Sequence, residues 1–286
     1  MDSGPITPAR ILPRSLRPGA SLVHAPGMTS FRFSRSTRAG APAAPSSSKR
    51  GPAGGPTAVA DPAGAPRAAR VLRRVFAVAY VCIVPLGLGR LVLAEGQRHG
   101  PMMAAYALLF AIGVCAWNSE LLTGARRIGA HPLRALGTLA LGVAILLALE
   151  AVGSLIAGWL AGVVPGGAQD LGNDTSISRI LGAYPRPVVV AVLGVMGPFV
   201  EELFFRQFLI PLIGDRTRSW VGVVVSGILF GMLHMSSLQP SEWIGIIPHM
   251  CFGLAMGILF LRSRRNLLLP AGIHILNNAS TFLANT

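Results

Sequence analysis

The chain has 286 residues, of which 52% are apolar and only 13% charged, and its formal net charge is +14. Apolar runs close to the roughly 20 residues a bilayer requires recur from residue 75 onward, which excludes an ordinary soluble enzyme and predicts an all-α, polytopic membrane protein. The three cysteines, Cys82, Cys115 and Cys251, are scattered through apolar runs and supply neither a disulfide framework nor a CxxC metal site.

Residues 1–74 carry twelve of the 25 basic residues and two acids, Asp2 and Asp61, in a background of Pro, Ser, Gly and Ala. No apolar period runs through this segment, so it cannot bury enough surface to offset chain entropy and is expected to be a disordered basic arm. Few aromatic residues interleave the arginines, so its expected partner is the anionic headgroup layer of a bilayer, and no nucleic acid is expected. The first apolar run follows Arg73 and Arg74 at full length, so no cleavable leader is expected.

The membrane domain is expected over 75–286, with seven helical spans at 75–94, 101–118, 135–164, 187–213, 219–237, 243–261 and 266–284. Every second loop is basic: the amino-terminal arm, then Arg126, Arg127 and Arg134, then Arg216 and Arg218, then Arg262, Arg264 and Arg265. The alternate loops are balanced or acidic, with Glu95 beside Arg98, Asp170 and Asp174 beside Arg179 and Arg186, and Glu242 alone. This alternation predicts a multi-pass protein of the cell membrane with its amino terminus cytoplasmic. In the long third run, Glu150 is expected to pair structurally or line a cavity rather than to react, and Arg90 to reach the interface by snorkelling.

The chemistry concentrates in the last four spans, a core expected over 187–284. The fourth carries Pro198, Glu201, Glu202 and Arg206. On a helix Glu202 and Arg206 are i and i+4 neighbours that pair, while Glu201 is rotated about 100° away and is left to another partner. Three ionisable groups in one span cost about 2.5 to 3.5 kcal/mol each, and a structural ion pair needs only two of them. Pro198, with Gly194 and Gly197, is expected to open the helix beside the carboxylates. The fifth span places Phe230 and His234 at i and i+4, and the seventh places His274 and Asn278 in the same relation, with Asn277 expected to serve as a helix-packing contact.

These three patterns, EExxxR at Glu201, Glu202 and Arg206, FxxxH at Phe230 and His234, and HxxxN at His274 and Asn278, resemble the motifs of the CAAX protease and bacteriocin-processing (Abi) family of intramembrane proteases, and they occur in that family's order. The resemblance implies that Glu201, helped by His234, activates a water that attacks a peptide carbonyl. It also implies that His274 and Asn278 stabilise the oxyanion, and that Glu202 and Arg206 hold the base in place. A metal-independent site is favoured; the alternative is zinc on Glu201, His234 and His274, against which stands the absence of an HExxH motif. The expected substrate is a peptide or membrane-associated protein. Two other classes fit ionisable groups at membrane depth: a non-proteolytic scaffold or immunity protein, and a proton-coupled transporter.

Overall fold

Helix formation follows the apolar runs because a segment with lipid around it must satisfy its backbone internally. The computed structural model describes residues 66–88, 99–164, 180 and 182–284, and contains no strand among them. Its helices are α1 (Arg67–Ile83), α2 (His99–Ala116), α3 (Asn118–Ala130), α4 (Pro132–Val163), α5 (Arg186–Gly214), α6 (Ser219–Met232), α7 (Pro240–Gly245), α8 (Ile247–Arg262) and α9 (Leu268–Ala284). Each of the seven predicted spans overlaps a helix, the first only over 75–83, and 89–94 lie outside the described residues. Among the described residues four are long and apolar enough to cross a membrane: α2, α4, α5 and the continuous Pro240–Arg262 run. Most of the expected arm, Arg90, and the loop residues Glu95, Arg98, Asp170, Asp174 and Arg179 lie outside the described residues.

Several boundaries differ from the sequence reading, each for a local reason. The first helix starts at Arg67 instead of 75, because Pro66 sets its entry and an Ala-Ala pair follows. Arg73 on this helix is anchored: it donates from Nε to the Ala116 carbonyl at 3.0 Å and pairs with Glu120 on α3. The fifth span stops at Met232, five residues short of the expected 237, where three successive i to i+3 hydrogen bonds tighten the chain over Leu233, His234 and Met235. Glu242, read from sequence as a lone loop acid, is buried and accepts hydrogen bonds from the Ser236 amide at 2.9 Å and the Ser236 hydroxyl at 2.7 Å.

Helix α5 is the irregular one. Its Val190–Met196 and Leu203–Leu209 segments are π-helical, on either side of an α-helical Gly197–Glu202. Each wide segment ends two residues before a proline, Pro198 or Pro211, and the residue between donates to the carbonyl five back: Gly197 to Val192, and Ile210 to Phe205. A proline offers no N–H and crowds the carbonyl four residues earlier, so the ladder slips by one residue instead of breaking.

The core sits where α5, α6, α8 and α9 meet. Helix α8 packs mainly against α4 and α6, and α9 against α5. Helices α6 and α8 cross at bare backbone: a Cβ on Gly253 would lie 2.9 Å from the Gly227 Cα and 3.0 Å from its carbonyl oxygen. Small residues are what allow such approach, since lipid supplies no hydrophobic force between helices. At the far end Arg186 ties the start of α5 to the end of α9 through the Phe282 and Leu283 carbonyls, at 3.2 and 2.9 Å.

Candidate active site

Glu202 and Arg206 form the anchor. Both side chains are fully buried, and Arg206 Nε lies 3.1 Å from Glu202 Oε2, the i to i+4 pair expected from sequence. A second guanidinium nitrogen, Nη2, donates to the Gly253 carbonyl at 3.4 Å, which the glycine crossing brings close. The cation also sits over the Phe230 ring at 4.9 Å, so the phenyl of the FxxxH pattern completes a cage around it.

The other oxygen of Glu202 faces His274 of α9, whose Nδ1 is 3.0 Å from Oε1. An ionised carboxylate only accepts, so Nδ1 is the donor and the ring orientation is fixed. Its opposite nitrogen, Nε2, points to Glu201 Oε2 at 3.8 Å. The His274 ring is wedged edge-on between Phe252, 4.8 Å away, and Phe230, 5.6 Å away. Arg206, Glu202, His274 and Glu201 therefore form one continuous chain of charge and hydrogen bonding across two helices. The sequence reading had Glu202 and Arg206 holding Glu201; the carboxylate of Glu202 holds His274 instead, because a bridging carboxylate has two oxygens to offer and α9 packs against that segment of α5.

His234 lies just past the end of α6, still i to i+4 from Phe230, and its Nδ1 is 3.2 Å from the Phe230 carbonyl. A carbonyl also only accepts, so Nδ1 is the donor, and in the neutral ring Nε2 carries the lone pair. The ring lies against that of His249 of α8, centroid to centroid 4.1 Å and tilted by 33°. A cavity of about 190 Å³ brings together His234, His249, His274, Asn277, Asn278 and Glu150, with Phe230 and Phe252 in its wall. Glu201 does not line it and meets it through His274, with 16% of its side chain exposed.

Two residues at the cavity run against the sequence reading. Asn277 lines the cavity beside Asn278 and is not a packing contact. Relative to His274 it is i+3, only about 60° around the helix, and therefore on the same face. His249 escaped notice, although it is an ionisable group inside an apolar run, the same signal that singled out His234. Glu150 lines the cavity, one of the two roles expected of it.

No group of three or more His, Cys, Asp or Glu among the described residues could hold a metal ion. His274 gives Nδ1 to Glu202 and turns Nε2 toward Glu201, while the His234 ring lies against that of His249.

Comparison with known proteins agrees with the part of the chain that builds this site. The chain is 23% identical over 123 residues to "Putative membrane peptidase YdiL" of Bacillus subtilis, covering 43% of this chain and 47% of that protein. It is 30% identical over 101 residues to "UPF0177 protein YxdF" of Lactococcus lactis, covering 35% of this chain and 51% of that protein. The chain thus spans about half the length of each of these curated relatives. No solved structure matches it. Residues 184–280, which hold α5 through most of α9 and every motif residue from Glu201 to Asn278, match the family model of type II CAAX prenyl endopeptidases, Rce1-like, and it is to this family of membrane proteases that the chain is similar.

Proposed function

We propose that the chain is an intramembrane endopeptidase that hydrolyses a peptide bond in a membrane-associated protein or peptide, without a metal. The observation that carries this reading is the orientation of His274: Glu202 takes Nδ1, so Nε2 faces Glu201 across 3.8 Å beside the cavity. That gap is too long for a hydrogen bond, yet both atoms can lie about 2.8 Å from a single water oxygen. Glu201 is the base that takes the proton from this water. The water oxygen adds to the scissile carbonyl, and the proton passes to the leaving amine as the C–N bond breaks. Asn278 donates to the oxyanion from its amide, and His274 donates from Nε2 only with its ring carrying both protons, since Nδ1–H is committed to Glu202; Asn277 borders the same space, and the neutral His234 ring offers Nε2 as an acceptor within the cavity.

A transporter reading rests on Glu150, a second carboxylate bordering the same cavity. It requires loss of gradient-driven uptake on Glu150→Gln, whereas proteolysis does not. The deciding comparison is between membranes of cells expressing wild type and cells expressing Glu201→Gln or His234→Ala at equal protein levels. New peptide ends present with wild type and absent with both variants are expected. Identical peptide profiles contradict an endopeptidase.

A further inference from the structure

A second cavity, of about 220 Å³, lies away from the motif residues, where the end of α3, the first turns of α4, the end of α8 and the turn before α9 meet. Four arginines line it, Arg127, Arg134, Arg262 and Arg264, together with His131, and no carboxylate does. We propose that this cavity binds the phosphate-bearing headgroup of an anionic phospholipid.

The positive-inside pattern explains why arginines occur at this end of the bundle, but it does not explain why four of them face one concavity. Isolated interfacial arginines spread into water, and gathering them costs mutual repulsion that an anion relieves. The gathering is built in. Arg264 and Arg265 both adopt left-handed backbone, with φ of 59° and 58°, an uncommon conformation for residues with a side chain. The turn that contains them is fastened by Arg265 N–H donating to the Phe260 carbonyl at 2.8 Å and by buried Asn266 donating from Nδ2 to the Gly124 carbonyl on α3 at 3.1 Å. Arg127 reaches the Arg264 carbonyl at 3.5 Å, linking the two sides of the cavity. Arg265 is turned to Asp215 at 3.1 Å, while Arg262 and Arg264 are left to the cavity.

The surroundings favour a lipid over a soluble phosphate. On α4, Leu133 and Leu136 are 82% and 62% exposed beside Arg134, and the apolar, largely uncovered surface of α4 continues from them. Guanidinium forks bind the phosphate while the acyl chains lie along α4. This inference does not depend on the protease reading.

The test is lipid binding by the purified full-length chain in detergent, with phosphatidylglycerol and phosphatidylcholine competing and bound lipid counted by native mass spectrometry. Wild type is expected to prefer phosphatidylglycerol by about tenfold or more, and Arg134→Gln or Arg262→Gln to reduce that preference several-fold. Arg126→Gln, which removes a neighbouring arginine outside the cavity, is expected to retain it. Absence of preference in wild type, which needs no variant to fold, overturns the proposal, as does an equal loss with Arg126→Gln. Inorganic phosphate at millimolar concentration is expected not to displace the lipid. Full displacement would assign the cavity to a soluble phosphate and overturn the lipid assignment.

Discussion

Glu202 is the residue on which the site turns, because its two oxygens serve different masters: one neutralises Arg206 and the other aims His274. Glu202→Gln leaves the fully buried guanidinium without its counter-charge, and removing one member of a buried ion pair costs about 3–5 kcal/mol. A large fall in melting temperature in detergent is therefore expected. Replacing both members, Glu202→Leu with Arg206→Met, removes the unpaired charge and should restore most of the stability without restoring cleavage, since His274 then has nothing to hold Nδ1. Recovery of cleavage in the double variant would show that Glu202 matters only for folding. The Glu202–Arg206 pair was legible in the sequence because i to i+4 spacing on one helix is a local relation. The partner of His274 was not, because 72 residues separate it from Glu202 and no local rule says which oxygen of a carboxylate faces which helix. His249 was legible in the sequence as an ionisable group in an apolar run, but its contact with His234 was not, since it exists only once α6 ends early and α8 turns back.

At the level of elements, the site depends on helices that come unusually close and on one that winds unusually wide. Gly253 permits the α6 and α8 backbones to touch, which lets the Gly253 carbonyl reach Arg206 and sets Phe230 over the guanidinium. Gly253→Ala puts a methyl into the Gly227 backbone, which cannot yield as a side chain would. A destabilisation of about 1–3 kcal/mol, read from thermal unfolding, is expected, together with reduced cleavage. Gly137→Ala on α4 is the control: a Cβ there meets nothing within 4 Å, so stability should stay level or rise. Equal losses at both positions would refute close backbone packing as the cause. The sequence marks the glycines and Pro198 plainly, but the π-helical ladder on both sides of Glu201 and Glu202 follows from how prolines shift hydrogen bonds in a helix already held by its neighbours. The same is true of α6, whose 14 residues rise only about 21 Å, less than a bilayer core. His234 therefore lies at a helix end and not in mid-span.

Across the whole molecule, the apolar runs mark the helices to within several residues, whereas the alternation of arginine-rich loops bears on orientation alone. The family match begins at residue 184, yet the cavity is closed on one side by Glu150 of α4, and α8 packs on α4, so helices outside the match also shape the site. The orientation proposed from the arginines is checked in a chain whose Cys82, Cys115 and Cys251 are replaced by Ser, with a single cysteine at the exposed position 129 or 238. A membrane-impermeant maleimide should label Leu238→Cys in intact cells and Gly129→Cys only in inverted vesicles. The reverse pattern would place the amino terminus outside. The account as a whole stands on Glu201 acting upon a water beside His274, and the direct measurement is peptide-bond cleavage by purified protein in proteoliposomes made in ¹⁸O-water. Wild type is expected to place one ¹⁸O in the new carboxylate of a membrane protein substrate, and Glu201→Gln to lower the rate by about 10²- to 10⁴-fold while remaining folded. Cleavage by Glu201→Gln at the wild-type rate would contradict it.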